Sequence, residues 1–516
     1  MSAEEISYSK GLPLIDKCDI LVIGGSQSGV AAAVCAKRSN PDADVLLIEQ
    51  FGYLGGQSVG TMVVHYEFRE YVNNAGQRIV KGFGHEIIKR VVEKGHTDPL
   101  FKEYLEGTAP PFTDLPDNRA FGDIPLDLED LKLVLQELCE EAGVRIRYFT
   151  KLADIIAVKG ASGLEKPEYA VIDYQKGLAM VKPKVVIDCT ANNDVAWFMG
   201  GEKYVNIPDH QVMPMQTYAW FGGVDLLRFI NSVFEHPEYW PMKNPDDHKQ
   251  MLSYMRQGKT IQMRGGSHYI DIADEKYPGL IMKYLDTGAN PPIYYWLKTI
   301  KIHEIECDGE KKYIGDFAME GPVYIKDQTD PEIVNRCMIS QLHAVHIMCK
   351  MHSVMPGWES CYVKRTSQRM GFRQTRILDG EYQLKREDVY DHKRFDDVIG
   401  RNPGHDVGRG KPEEEYGYDV PYRILVPKKI DGLLVGARSV SCDPNGESLK
   451  ALNAHRGICA TIVCSQASGV AAGLCLEKKI EPREIDIKEL QDKLKDQDVI
   501  LDPPPEGPQG FYQPPA

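Results

Sequence analysis

The apolar positions of this chain keep two rhythms, and the switches between them mark out its elements. Asp19 to Gly24 reads DILVIG, a short continuous apolar run of strand type that ends on glycine. GSQSG follows, then the alanine-rich stretch VAAAVCAKRS, then a second apolar run, VLLIE, at Val45 to Glu49. Together these predict one strand–turn–helix–strand unit of about 30 residues, the size a βαβ motif needs. A glycine-rich loop, FGYLGGQSVGT, comes next, and a mixed region runs to about Asp123. Leu131, Leu135, Leu138 and Ala142 share one stripe, which predicts a helix over Leu128 to Ala142 with Asp127 as N-cap and Gly143 as its stop. VRIRYF, YAVIDY and LAMVK are spaced as a β-meander leading into a buried strand, VVIDCTA.

From about Asn206 to Tyr422 the βαβ rhythm is lost. This stretch is rich in Tyr, Trp and Met and carries one long predicted helix, Pro331 to His352. A strand, GLLVGA, and a small-residue helix reaching about Lys479 then restore the first rhythm, and DPPPEGPQGFYQPPA reads as an extended proline-rich arm. No repeat of roughly 20–50 residues is present. The pattern predicts an α/β protein. A Rossmann-type domain is built from discontinuous segments, 16–205 (with a mixed insertion at about 62–124) and 423–480. An α+β substrate domain is inserted at 206–422, and a helix with the proline-rich arm follows at 481–516.

Composition narrows the field. A chain of 516 residues is too long for one simple core. The net charge of −14 argues against nucleic acid as a main partner, because phosphate binding needs concentrated Lys and Arg. The first residues, MSAEEISYSKGLPLIDKCD, have no basic segment followed by an apolar one, so no secretory signal is expected. Ile458 to Leu476 is weakly polar but holds Ser465, Gln466 and Ser468, and is expected to be a buried helix rather than a membrane span. The 12 cysteines form no CxxC pair, and several (Cys35, Cys189, Cys337, Cys475) sit in apolar runs. They are expected to be reduced, buried thiols of a cytoplasmic protein.

The first turn carries a dinucleotide-binding pattern, Gly24, Gly25, Ser26, Gln27, Ser28, Gly29. Gly24 makes the tight turn, the position of Ser26 lets the backbone approach a pyrophosphate, and Gly29 lets the helix pack on the sheet. Glycine is usual at the second of these positions. Serine is small, and its hydroxyl can itself bond a phosphate. Glu49 ends the next strand about 20 residues on, where a carboxylate accepts both ribose hydroxyls of an adenosine. No second complete fingerprint lies in the middle of the chain, which disfavours a nicotinamide-only dehydrogenase.

In order along the chain, the blocks VIGGSQSGVAAAVCA, LLIEQFGYLGGQSVGT, DLEDLKLVLQELCEEAGVRI, VVIDCTANNDVAWFMGGE, MPGWESCYVKRTSQRMGFRQTRILDGEYQL, YDVPYRILVPKKIDGLLVGARSVS and SQASGVAAGL resemble the FAD-dependent oxidoreductases of the glutathione reductase-like and fumarate reductase-like superfamily. Two departures stand out: Thr190-Ala191 replaces a usual Thr-Gly, and Ala437-Arg438 replaces a usual Gly-Arg, with Gly436 just before. The resemblance implies FAD as cofactor and makes the Rossmann-type domain an FAD-binding domain. Gln50, next to Glu49, is expected to bind the cofactor with it; the resemblance implies that Gly55, Gly56, Gln57 and Ser58 pass the pyrophosphate and flavin, and that Leu152 meets the adenine through its backbone. It places Asp188, Thr190 and Ala191 near the adenosine half, and Gly436, Arg438 and the helix beginning near Arg456 at the flavin end. That helix would present its positive dipole end there.

Four residues are candidates for catalysis. His455 and Arg456 lie where the last helix begins. His65, in the alternating stretch TMVVHYEF, is either a base, a covalent flavin link or a hydrogen-bonded structural histidine, the last preferred. Arg373, with Arg376, either binds a substrate carboxylate or anchors Asp379 or Glu381. His343 and His346 are spaced i, i+3 but lack a third ligand, so no metal is expected. The expected function is hydride transfer between a C–H bond of a small organic substrate and flavin, of dehydrogenase or oxidase type. The alternatives are a fumarate reductase-like double-bond reductase and a non-catalytic FAD-binding protein. A small-molecule substrate is expected, with no nucleic acid and no membrane span. The electron acceptor and the substrate's identity are open, and so is homo-oligomerisation.

Overall fold

The computed structural model describes residues 9–63, 65–67, 71, 79–99, 102, 105, 123–208, 215–236, 245–265, 268–287, 295–323, 330–373, 375–403, 417–445 and 449–502. About half of the expected insertion at 62–124, and the proline-rich arm beyond residue 502, lie outside these residues.

The predicted unit is present as strand Ile20–Ile23, helix Gln27–Ser39 and strand Val45–Ile48. These strands belong to a five-stranded parallel sheet ordered Leu433–Val435, Val185–Asp188, Ile20–Ile23, Val45–Ile48, Arg145–Arg147. Every residue of ILVI and VLLI is buried, because both faces of the sheet are covered. Alternate side chains divide between two cores. Ile20, Val22, Val45, Leu47 and Ile187 meet the helices Gln27–Ser39, Leu128–Ala142 and Ile458–Lys478. Leu21, Ile23, Leu46, Ile48 and Val186 meet Leu152, Ile155, Ile172 and Val181 of a second sheet. This second sheet holds the strands Lys151–Lys159, Glu165–Tyr174 and Gly177–Lys182 in antiparallel succession, with Leu14–Lys17 on its edge.

The helix Leu128–Ala142 has the predicted ends. The Asp127 carboxylate accepts from the backbone N–H groups of Glu129 and Asp130 at 2.9 and 3.1 Å, and Gly143 closes the helix at φ 75°. The strand after it departs from expectation. Arg145–Arg147 is the edge of the parallel sheet beside Val45–Ile48, not the first strand of the meander. The helix carries the chain back across one face of the sheet, so the strand leaving it returns parallel.

The last long helix, Ile458–Lys478, which the short helix Ile487–Asp496 follows, is long and apolar enough to cross a membrane, yet 89% of its most apolar window is buried inside the fold. Its small residues let it lie directly on Gln27–Ser39. A Cβ on Gly469 would stand 2.2 Å from the Ala32 carbonyl oxygen, and one on Gly473 would stand 2.8 Å from Ser39 Cβ. Gly469→Val is therefore expected to destabilise the protein by about 1–3 kcal/mol or more. The check is the urea midpoint, and an unchanged midpoint would show that the two helices can part without cost.

In sequence, between the parallel strands Val185–Asp188 and Leu433–Val435, the chain forms an antiparallel sheet ordered Gln262–Gly265, Tyr295–Cys307, Glu310–Val323, Met215–Asp225, Tyr362–Thr366. Its own core gathers Phe221, Phe229, Phe317, Met348 and Trp358. The helix Pro331–His352, capped by Asp330, packs on it. Ile399, Tyr418 and Val420, from the paired strands Val398–Asn402 and Tyr418–Pro421, instead join the core beneath the last helix.

Candidate active site

The site is built from three chain turns that bond to one another. Gly24 leaves its strand at φ 101°, a conformation that favours glycine, and a Cβ there would lie 2.7 Å from the Cys189 carbonyl oxygen. Ser26 caps the following helix, its hydroxyl accepting from the Gly29 N–H at 3.3 Å. A Cβ on Gly29 would stand 1.8 Å from the Gly24 carbonyl oxygen, so glycine alone lets the helix start this close to the strand.

Glu49 is 4% exposed. Its Oε2 accepts from the Gly25 N–H at 2.6 Å and its Oε1 from the Phe51 N–H at 2.9 Å. Burial raises its pKa, and these two bonds oppose the shift. An ionised carboxylate has about four acceptor sites, so acceptor capacity remains for a ribose hydroxyl. The Thr150 N–H donates to the Glu49 carbonyl at 2.9 Å, which brings the strand carrying Leu152 alongside.

The second turn packs on the first. The Gly55 N–H donates to the Gly25 carbonyl at 2.9 Å, Gln27 Nε2 donates to Ser58 Oγ at 2.9 Å, and a Cβ on Gly56 would lie 2.6 Å from Ser26 Cβ. The third turn joins through Arg438, whose Nη1 donates to Gln57 Oε1 at 3.1 Å. Gly436 sits where a Cβ would meet Cys189 Sγ and Ser465 Cα, both at 3.2 Å. The fingerprint, the glycine pair and the Gly436–Arg438 segment, far apart in sequence, thus form one cradle. Gln50 is exposed beside it.

Asp188 shapes a neighbouring turn. Its Oδ1 accepts from the N–H and hydroxyl of Thr190 at 2.8 and 2.7 Å, and its Oδ2 from the Val195 N–H at 2.9 Å. Ala191 and Asn193 in that turn have φ 63° and 55°. Thr375 docks on it, its hydroxyl 2.9 Å from Asn192 Oδ1. Arg376 pairs with Asp194 at 3.3 Å and lies 4.6 Å over the Trp197 ring. Asp379 pairs with Lys429, and Glu381 with Arg483. Arg376 therefore pairs with a carboxylate other than Asp379 or Glu381, the two weighed in the sequence. Arg373 beside it is half-buried.

His455 is fully buried, with Nδ1 2.7 Å from the Tyr418 hydroxyl and Nε2 3.1 Å from Cys464 Sγ. Burial pushes its pKa down to about 4, so the ring is neutral and both nitrogens are engaged by core partners. Arg456, the next residue, is half-buried. Its Nε donates to Asn453 Oδ1 at 2.9 Å, and it immediately precedes Gly457, the N-cap of the last helix. His65 lies on the short strand His65–Glu67, opposite Pro125, with its side chain outside the described residues.

One residue of the cradle had no signal in the sequence. Arg369 follows the edge strand Tyr362–Thr366, and its guanidinium lies 5.3 Å from the Phe51 ring centroid. Burial and then the charges of Arg369 and Arg456 push the pKa of Arg438 down to about 9. Three guanidinium groups thus share one region of the cradle. Among the described residues, no group of three or more His, Cys, Asp or Glu is arranged to hold a metal ion.

No curated protein matches the chain. Similar solved structures include a geranylgeranyl bacteriochlorophyll reductase-like protein from Thermoplasma acidophilum, at 12% identity over 94% of this chain and 84% of that one, with a TM-score of 0.39. They also include p-nitrophenol 4-monooxygenase from Pseudomonas putida, at 10% identity over 94% and 85%, with a TM-score of 0.37. A third is a myxobacterial FAD-dependent chondrochloren halogenase, at 11% identity over 93% and 79%, with a TM-score of 0.39. Likeness at this level carries no argument about chemistry. The family described as FAD dependent oxidoreductase matches residues 19–494, a span that takes in the glycine turn, Glu49, the glycine pair, Arg438 and the last helix. The chain belongs to the FAD dependent oxidoreductase family, and it is a flavoenzyme whose cofactor is FAD.

Proposed function

We propose that this enzyme moves a hydride between a C–H bond of a small organic substrate and FAD, as a dehydrogenase or oxidase. The residues present fit the cofactor. Glu49 retains acceptor capacity for a ribose, and Gly24, Gly29 and Gly56 let the turns of the cradle pack closer to one another than any side chain would allow. When bound, FAD supplies the hydride-accepting and hydride-donating chemistry. The observation that carries the reading is Arg456 at the entrance to the last helix, with Arg438 near enough to feel its charge. A fixed cation and a helix N-terminus at one point favour negative charge arriving there. Arg456 also offers a donor to a substrate oxygen, while the neutral, buried His455 braces the helix end behind it. The double-bond reductase reading asks for carboxylate clamps, and Arg376, engaged by Asp194, serves it less well.

The test is an anaerobic screen of small alcohols, sugars, amines and acids for flavin bleaching. Bleaching by a saturated donor is the expected result. Enzyme that no donor bleaches, yet whose reduced form is reoxidised by an unsaturated acid, would replace this reading with the reductase.

Attachment of FAD is expected to be non-covalent. Acid precipitation should leave a colourless pellet, with FAD rather than FMN in the supernatant. A yellow pellet yielding a flavin-modified peptide would overturn this, and His65 would be the first position to examine.

A further inference from the structure

We propose that Arg369, backed by the Tyr53 hydroxyl, binds the diphosphate of FAD. Residues 367–369 form the seam between the inserted sheet and the cradle. Ser367 Oγ donates to the Tyr218 carbonyl at 2.7 Å and the Thr61 carbonyl at 3.1 Å, and accepts from the Tyr218 N–H at 2.9 Å. The Gln368 N–H donates to the Gly60 carbonyl at 2.9 Å. The seam delivers the Arg369 stem onto Gly60, where an added Cβ would lie 2.7 Å from Arg369 Cδ and 2.5 Å from the Tyr53 hydroxyl. The rings of Phe51 and Tyr53 stack at 5.4 Å and 8°, and the guanidinium rests over Phe51.

Two independent features say that something anionic belongs here. Among the described residues, Arg369 makes no hydrogen bond or ion pair, although a half-buried guanidinium ordinarily finds an acceptor. The Tyr53 hydroxyl is buried and also has no partner. Position identifies the anion. Arg369 is close enough to Glu49 to stabilise its carboxylate and close enough to Arg438 to disfavour that residue's charge. Glu49 is placed to take the adenosine ribose, and Arg438 stands at the segment facing the other half of the cofactor. In FAD the group joining those halves is the diphosphate, whose two negative charges suit a planar five-donor cation.

The test uses full-length apoprotein titrated with FAD, ADP and adenosine. Arg369→Met is expected to weaken FAD and ADP about 10- to 100-fold, the loss of one charge-assisted contact, while adenosine affinity stays unchanged. FAD and ADP affinities within twofold of the parent protein, or an equal loss for adenosine, would overturn the proposal. A second measurement needs no variant. Phenylglyoxal labelling of Arg369 in the parent apoprotein, mapped by peptide mass spectrometry, should be blocked by ADP and not by adenosine. Labelling that ADP leaves undiminished would equally overturn it.

Discussion

Gly29→Val protein is expected to emerge from purification without FAD. The 1.8 Å separation between an added Cβ and the Gly24 carbonyl oxygen is about half of an ordinary contact, and the obstacle is backbone rather than a side chain that can turn aside. Gly24 cannot yield easily, because its N–H is bonded to the Ile48 carbonyl at 2.9 Å and its own Cβ direction is closed by Cys189. The helix must lift, and its N-terminus then moves away from the phosphates it would hold. Ser26→Gly is the companion variant. It removes only the weak 3.3 Å cap to Gly29, and glycine at an N-cap costs a few tenths of a kcal/mol, so FAD occupancy should stay near the parent value. Absorbance ratios on freshly purified protein measure both. Gly29→Val enzyme carrying a full complement of FAD would show that the pyrophosphate does not lie on this turn.

Arg456→Ala should leave FAD binding intact and slow flavin reduction by roughly 10²-fold or more, the scale of losing one preorganised electrostatic contact. The competing expectation is structural. Arg456 is tied to Asn453, and a pairing with Glu447, which lies outside the described residues, would make it a loop anchor. In that case melting temperature or FAD retention falls first, and holo-protein that survives reduces at a near-normal rate. Occupancy, melting temperature and the anaerobic half-reaction rate, taken on one sample, separate the two. An unchanged rate in fully loaded enzyme would remove Arg456 from the chemistry. Because Arg456 also lowers the pKa of Arg438, its removal should ease the charge on that neighbour.

Features held by short-range interactions were legible in the sequence. The turn from Gly24 to Gly29, the Asp127 cap and the Gly143 stop each depend on residues within a few positions of one another, and each is where the pattern put it. The parallel placement of Arg145–Arg147 was not legible, because a short strand does not declare its partner. Nor was the environment of His455. Sequence adjacency set it beside Arg456, but His455 ends a separate helix, Leu449–His455, and turns inward between Tyr418 and Cys464, while Arg456 lies in the break before the next helix. Arg369 was hidden for a related reason. Its surroundings are assembled from Phe51, Tyr53 and Gly60, some 300 positions earlier in the chain, and nothing in QRMGF announces them.

The pairing of Gln27–Ser39 with Ile458–Lys478 has a consequence for biosynthesis. Gln27–Ser39 leaves the ribosome more than 400 residues ahead of Ile458–Lys478, and the strand Leu433–Val435 that completes the parallel sheet is nearly as late as the second helix. The inserted sheet, with its own core, can fold while the nascent nucleotide-binding half still waits with an uncovered apolar groove. A stop codon placed after Thr366, which ends the inserted sheet, and before residue 458 should therefore yield a chain that chaperones retain, with the intervening domain folded and the βαβ unit that opens at Ile20 aggregation-prone.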